Sequence, residues 1–305
     1  MKRFFKWTAL LLATAGILAY GVGVWLADSR PAHPFFAAEG TLVIAHRGGA
    51  GLAPEATMAA FGLSDSLGAD VLEFDVRLSA DGEWVVLHDG RVDRTTSGEG
   101  AVAGMRLRQL KALDAGYNWS ADGGRSFPHR GRGLQIPTLE EVLVAFPGRR
   151  FNIEIKIDSV AAVADFCRRV ETLGAAERVL VASFHPAVIQ AARQGCAGAA
   201  TAATYGEALR FFVLNRLGLD AAYSGAADAM QVPTRLGRLA VADARFVAGA
   251  RRHNIDVHPW TVDDAETMKT LVENGVGGII TDYPDRLLQV LGRSLGAAAG
   301  GPKGL

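Results

Sequence analysis

Val71-Leu72-Glu73-Phe74-Asp75-Val76 decides the fold. Successive side chains of a strand point to opposite faces, so Leu72, Phe74 and Val76 form one apolar row while Glu73 and Asp75 share the other. That division fits a strand of a closed barrel, with the apolar row against an outer layer of helices and the acids in the lumen. Asn152-Ile153-Glu154-Ile155-Lys156-Ile157 repeats it. Its three isoleucines pack outward, and Asn152, Glu154 and Lys156 point inward. Carboxylates side by side in a buried lumen are costly without compensation. Three acids with no Cys among them suit one hard divalent cation held by oxygen, Ca²⁺ or Mg²⁺. Glu73, Asp75 and Glu154 are therefore the expected metal ligands. The alternative is a salt bridge of Lys156 with Glu73 or Asp75 and no metal.

Working outward, short apolar runs at 41–45, 70–76, 150–157, 179–183, 199–204, 229–232, 255–260 and 278–281 read as strands. Helical patterns separate them at 55–67, 139–146, 160–173, 186–193, 207–217, 240–253, 264–274 and 284–291. Eight strands alternating with eight helices predict an α/β fold, a (β/α)₈ TIM barrel over 41–293, with a doubly wound open sheet as the alternative. The interval from Val76 to Arg150 is too long for one connection. It holds an extra apolar run, Trp84–His88, and a Gly-rich stretch, which predict a small insertion after strand two, around 90–135. Residues 294–305 read as a flexible tail. No internal repeat is visible.

The chain has 305 residues, 49% hydrophobic and 21% charged, so it folds. Lys plus Arg and Asp plus Glu each number 32, which argues against nucleic-acid binding through bulk positive charge. Cys167 and Cys196, the only two cysteines, exclude a disulfide-scaffold protein and a Cys-rich zinc fold. They read as buried thiols acting as small hydrophobes, or as one bridge in an exported domain. Residues 1–6 carry Lys2, Arg3 and Lys6, and 7–27 are uncharged. Such a run is long enough to cross a membrane, and the flanking charge keeps the N-terminus cytoplasmic. A single-pass anchor is expected, with the barrel on the extracytoplasmic side, periplasmic or extracellular. A cleaved signal peptide giving a secreted form is the alternative. Residues 28–40 read as a linker outside the fold.

His46-Arg47-Gly48-Gly49 follows strand one directly, at the mouth where a barrel carries its catalytic groups. His88-Asp89 ends the extra apolar run. Two histidines that each terminate an apolar run suit an acid–base pair. Arg47 can fork onto a phosphate, and the glycines let backbone approach a ligand. Glu55, after Pro54, is expected near His46 as a substrate-binding residue. Trp260 ends strand seven at the same mouth, as an apolar wall or a packed rim aromatic. His129, His185, His253 and His258 carry no functional expectation.

Pro54-Glu55-Ala56-Thr57, Arg94-Thr95-Thr96, Ile136-Pro137-Thr138-Leu139-Glu140-Glu141, Ser183-Phe184, Trp260-Thr261-Val262 and Thr281-Asp282-Tyr283-Pro284 complete the set in order. Together with the motifs above, they resemble the glycerophosphodiester phosphodiesterases from about residue 42 to 290. The resemblance implies a (β/α)₈ barrel with an insertion after strand two. It implies hydrolysis of glycerophosphodiesters to glycerol 3-phosphate and an alcohol. Glu73, Asp75 and Glu154 would hold the cation, His46 and His88 would be the acid–base pair, and Arg47 and Lys156 would hold the phosphate. Two positions depart from the family pattern: Ala56 replaces an Asn, losing a side-chain hydrogen bond near His46, and Asp263 replaces another Asn, adding an acid near an anionic substrate. Two other readings stand beside this one. A lysophospholipase D would show a wide apolar mouth around Trp260, Phe127 and Trp119. A membrane-tethered, non-catalytic binding barrel would have lost one of the five His and acid positions.

Overall fold

All eight predicted parallel strands form in the computed structural model, which describes residues 7, 14–16, 18, 20–25, 27, 29–37 and 40–296. They are β1 (Leu42–Ala45), β2 (Val71–Leu78), β4 (Arg150–Ile155), β5 (Val179–Ala182), β6 (Ala200–Thr201), β7 (Ala229–Pro233), β10 (Asp256–Trp260) and β11 (Gly278–Thr281). One ladder runs β11-β1-β2-β4-β5-β6, and a second pairs β10 with β7. Backbone bonds join the two at both edges. Ala203 N donates to Ala229 O at 2.7 Å, and Val262 N donates to Ile280 O at 2.9 Å. The result is a TIM-barrel-like ring, which excludes the doubly wound sheet.

Parallel neighbours need crossovers, and helices supply them. They are α1 (Met58–Leu67), α3 (Leu139–Ala145), α4 (Val160–Thr172), α5 (Pro186–Gly195), α6 (Tyr205–Leu217), α7 (Ala244–Arg251), α8 (Ala265–Glu273) and α9 (Pro284–Val290), with the short α2 (Leu107–Lys111) in the insertion. Helix α1 starts later than its apolar pattern predicts. Thr57 is its N-cap, accepting from Ala60 N at 3.3 Å, so Glu55 lies in the turn before the helix. Helix α7 likewise begins at its Asp243 cap. Of the residues read as its first turn, Ala240 instead ends a hairpin of β8 (Arg235–Leu236) and β9 (Leu239–Ala240), and 241–243 lead to the cap.

The strand faces are as the alternation predicts. Leu72, Phe74, Val76, Ile153 and Ile155 are buried in the layer beneath the helices. Ile44, Val71, Leu180, Ala200 and Ile280 fill the lumen. The insertion starts with β3 (Trp84–Val86), antiparallel to β2, and has its own small core of Val92, Val102, Leu110 and Ile136.

The N-terminal region requires a correction. Part of 7–27 lies outside the described residues. Among the described residues no helix is long and apolar enough to cross a membrane. The single-pass anchor, and the extracytoplasmic placement drawn from it, are therefore not supported: absence of charge sets no helix length. The expected basic stretch 1–6 and most of the expected tail, 297–305, lie outside the described residues.

Residues 29–37, read as linker, belong to the fold. Pro34–Phe36 form a 3-10 turn, and Phe35 is buried against Leu42, Val71 and Ala200 at the bottom of the lumen. Arg30 pairs with Asp228 at 2.8 Å, and Arg150 donates to Phe35 O at 2.8 Å. Cys167 of α4 and Cys196 beyond α5 form a disulfide, with their Cα atoms 4.7 Å apart, so the reading as free thiols gives way to the bridge.

Candidate active site

The cation-rich and acid-rich side chains converge because three strand ends meet. β2 and β4 pair with Glu73 opposite Asn152 and Asp75 opposite Glu154. The chain leaves β1 through the tight turn His46–Gly48, whose Arg47, Gly48 and Gly49 all have positive φ, at 49°, 80° and 92°. A Cβ on Gly48 would lie 2.7 Å from the Phe61 ring, so glycine is required there on both counts. The turn aims Arg47 N at Glu73 Oε2, 2.6 Å away.

His46, Arg47, Glu73, Asp75, His88, Glu154, Lys156 and Trp260 all line one cavity of about 260 Å³ at the C-terminal ends of the strands. His46 Nδ1 meets Asp282 Oδ1 at 2.6 Å, and His88 Nδ1 meets Asp89 Oδ1 at 2.6 Å. Each imidazole thus has Nδ1 engaged by a carboxylate, leaving Nε2 for another partner. Burial pulls His46 down, but the charges of Glu73 and Asp282 and the bond to Asp282 outweigh it, so it sits above its ordinary value. Glu73 is pushed up to about 7, by burial first, with His46 opposing and Asp75 adding. Lys156 Nζ lies 3.0 Å from Asp75 and 2.8 Å from Glu154. Burial lowers it, yet those two carboxylates hold it above the usual lysine value. The predicted salt bridge therefore exists with Asp75, and not with Glu73.

Three buried acceptors still receive no hydrogen bond: Asp75 Oδ2, Glu154 Oε1 and Asn152 Oδ1. Buried acceptors without donors are uncommon. An oxygen-seeking cation fits that donor set. Among the described residues, however, no group of three or more His, Cys, Asp or Glu is drawn together as a ligand set. Lys156 holds two of the carboxylates in its place.

Glu55 does not line the cavity. Its carboxylate takes Arg47 Nη1 at 2.9 Å and Arg94 at 2.7 and 2.8 Å. It is held below the usual value by the two guanidiniums despite its burial. Trp260 lines the cavity beside Phe184, with ring centroids 6.1 Å apart. Trp119 donates to Ala50 O and Phe127 stacks on Arg130, and neither is among the residues lining the cavity. His129, His185, His253 and His258 are not among the lining residues.

Sequence reasoning missed the groups that hold the histidines. Arg94 grips Glu55 and also donates to Asp89 Oδ2 at 2.7 Å, while Arg77 donates to His88 O at 2.6 and 2.8 Å. Asp263 is turned away from the cavity. Its Oδ1 accepts from Thr281 Oγ1 at 3.0 Å and from Asp282 N at 2.9 Å, fixing the residue that meets His46. The available signal was position, since Asp89 directly follows His88 and Asp282 directly follows Thr281, the last residue of β11. Ala56 stands at φ 58°, a conformation Asn tolerates far better.

A parallel ring with its polar side chains gathered at the C-terminal strand ends defines the barrel-enzyme class of site. The chain belongs to the glycerophosphoryl diester phosphodiesterase family, whose model matches residues 46–286. A glycerophosphodiester phosphodiesterase of Caldanaerobacter subterraneus is 32% identical, over 82% of this chain and 98% of that protein. A glycerophosphoryl diester phosphodiesterase domain from Mycobacterium tuberculosis shares the fold, with TM-score 0.72 at 20% identity, over 83% of this chain and 99% of that one. A phosphodiesterase of Oleispira antarctica, solved with the product sn-glycerol-3-phosphate, gives TM-score 0.64 at 25% identity, over 82% and 96%.

Proposed function

We propose that this chain is a glycerophosphodiester phosphodiesterase that uses His46 and His88 as acid and base beside one divalent cation. The observation that carries the reading is the shared cavity: both imidazoles, each with Nδ1 on a carboxylate, face Glu73, Asp75, Glu154 and Lys156 there. Family membership supports the substrate class. The acceptors without donors on Asp75, Glu154 and Asn152 support a hard cation, Ca²⁺ or Mg²⁺, which Asp75 and Glu154 would hold together with Glu73, a third carboxylate of the same cavity. When bound, that cation would offset negative charge on the phosphoryl oxygens.

One imidazole accepts the proton of the glycerol 2-hydroxyl as its oxygen forms a bond to phosphorus. The bond from phosphorus to the alcohol oxygen breaks, and the other imidazole donates the proton that oxygen needs. Water then opens the cyclic phosphate, giving glycerol 3-phosphate. Arg47 and Lys156 supply fixed positive charge at the phosphoryl group, where charge stabilisation usually contributes most. Arg47 is oriented for that by Glu55.

The test is hydrolysis of glycerophosphocholine by the full chain, with chelator and with Ca²⁺ or Mg²⁺ restored. Glycerol 3-phosphate should appear, vanish with chelator and return with one ion. His46→Ala and His88→Ala should each lower kcat by at least about 10²-fold with the unfolding midpoint preserved. Wild-type rates in either variant overturn the acid–base assignment, and activity in chelator overturns the cation.

A further inference from the structure

Gln231 is the one polar side chain of β7, and no step of the hydrolysis uses it. Ala229 belongs to the lumen cluster, and Gln231, two residues on, shares its face of the strand. Gln231 lines the cavity, and its buried Nε2 has no hydrogen-bond partner among the described residues. His258 stands opposite it on the adjacent β10. The Nδ1 of His258 also has no partner among them, so the two side chains do not bond each other. A buried donor without an acceptor is costly and uncommon in a folded chain. At the wall of a cavity, the acceptor that answers it arrives with a ligand.

The ring fixes where that donor stands. β7 is four strands from β2 in either direction, through β6, β5 and β4 or through β10, β11 and β1. Gln231 therefore faces the wall that carries Glu73 and Asp75. Arg47 lies just past β1 and Lys156 just past β4, so the positive charge for the phosphate flanks β2, across the lumen from Gln231. On the near side, the cavity is lined by Ala182 of β5 and Ala202 just past β6, whose methyl groups offer a ligand no hydrogen bond. A neutral amide there suits a neutral hydroxyl. Phe184 and Trp260 line the same cavity and are exposed, which marks the open rim as the way out for the alcohol that leaves. Glycerol is the constant part of these diesters and suits the buried donor. Its 2-hydroxyl attacks phosphorus, and its terminal hydroxyl is left to be bound.

We propose that Gln231 is a specificity-determining residue whose Nε2–H donates to the terminal hydroxyl of the glycerol moiety. The inference rests on the phosphodiesterase reading, because Arg47 and Lys156 must hold the phosphate for glycerol to span the lumen. Gln231 exchanges no proton with the reacting atoms. A site that pairs a substrate hydroxyl with a buried group rejects the analogue that lacks it, since the group is then left unpaired.

The experiment compares glycerophosphocholine with 2-hydroxypropylphosphocholine, which keeps the attacking hydroxyl and lacks the terminal one. The full chain is assayed on both, with Ca²⁺ and with Mg²⁺. Calorimetry measures binding of the two corresponding monoesters, glycerol 3-phosphate and 2-hydroxypropyl phosphate. The parent should favour the glycerol compound at least about tenfold in kcat/KM and in Kd. Gln231→Met keeps the length of the side chain and removes the donor. It should bring the preference to within about twofold, chiefly through a higher KM on glycerophosphocholine, with the unfolding midpoint preserved. Gln231→Leu serves in the same way where the methionine variant fails to fold. With glycerophosphocholine hydrolysed, three results overturn the hydroxyl contact and leave the phosphodiesterase reading standing: no preference in the parent, equal losses on the two diesters, or a preference that survives in the variants. A calorimetric preference that Gln231→Met abolishes, with neither diester hydrolysed, keeps the contact and overturns that reading. No hydrolysis and no calorimetric preference overturn both.

Discussion

Asp282 shows how much of this site rests on residues that need not touch substrate. Its carboxylate meets His46 Nδ1, and its own backbone is held by Asp263. Replacing it by Asn keeps the shape and removes the charge that helps hold His46 above its ordinary value. In Asp282→Asn, His46 should titrate at lower pH in the metal-free protein, as read by NMR, and kcat should fall by about 10²-fold or more, as for other carboxylates that orient a catalytic imidazole. An unmoved titration would mean that Asp282 does not act through His46. A second residue-scale expectation concerns backbone. Ala56 is buried at φ 58°, and its N–H donates to Arg47 O at 2.9 Å, so two left-handed residues brace each other behind His46. A β-branched residue is strongly disfavoured there. Ala56→Val should lose about 2 kcal/mol or more in denaturant unfolding, whereas Ala56→Gly should stay within about 1 kcal/mol of the parent.

At the scale of elements, α6 is fixed by its first turn. Thr204 accepts from Glu207 N at 3.3 Å, Glu207 reaches back to Thr204 N at 2.8 Å, and Arg193 pairs with the same carboxylate at 2.7 Å. Burial raises the Glu207 carboxyl, but Arg193 and the Thr204 bonds prevail, leaving it below its ordinary value. A carboxylate depressed by folding stabilises fully above its unfolded value, and that contribution fades as pH falls through the folded one. Stability should therefore drop below about pH 4.5 partly through Glu207, and Glu207→Gln should show a shallower acid limb in unfolding midpoints measured from pH 6 to pH 3. An identical limb would place the acid sensitivity elsewhere. The strands were legible in sequence because period-two alternation is local: Glu73 against Phe74 already separates lumen from outer layer. The starts of α1 and α7 were not, because the capping bonds of Thr57 and Asp243 decide them and an apolar pattern carries no trace of a cap. His46, His88 and the three acids were legible as strand-end residues. The clamp of Arg94 on Glu55 and Asp89 was not, since it joins the insertion to the turn after β1 only in three dimensions. The same holds for Cys167 and Cys196, which meet only once α4 and α5 pack.

At the scale of the whole molecule, the barrel is closed from below by the segment that composition assigned to a linker. Pro31 and Pro34 made 28–40 look extended and separable, yet Phe35 is 1% exposed and occupies the lumen beneath the site. A ring of eight strands fills its interior with side chains in layers. Here the lowest layer is completed by a residue from outside the repeating strand–helix units. Val71 belongs to that lumen cluster and Glu73 lies on the same face of β2, so floor and site share one strand. Deleting a buried Phe typically costs about 3–5 kcal/mol. Phe35→Ala should show that loss in urea unfolding, and a chain starting at residue 41 should lose at least as much, because Arg30–Asp228 and the Phe35 carbonyl's bond to Arg150 go with it. Hydrolysis of glycerophosphocholine should persist wherever the variant remains folded, since the floor touches none of His46, His88 or Lys156. A chain from residue 41 as stable as one from residue 29 would show that the lumen closes without Phe35, and that β1 alone sets the lower edge of the barrel.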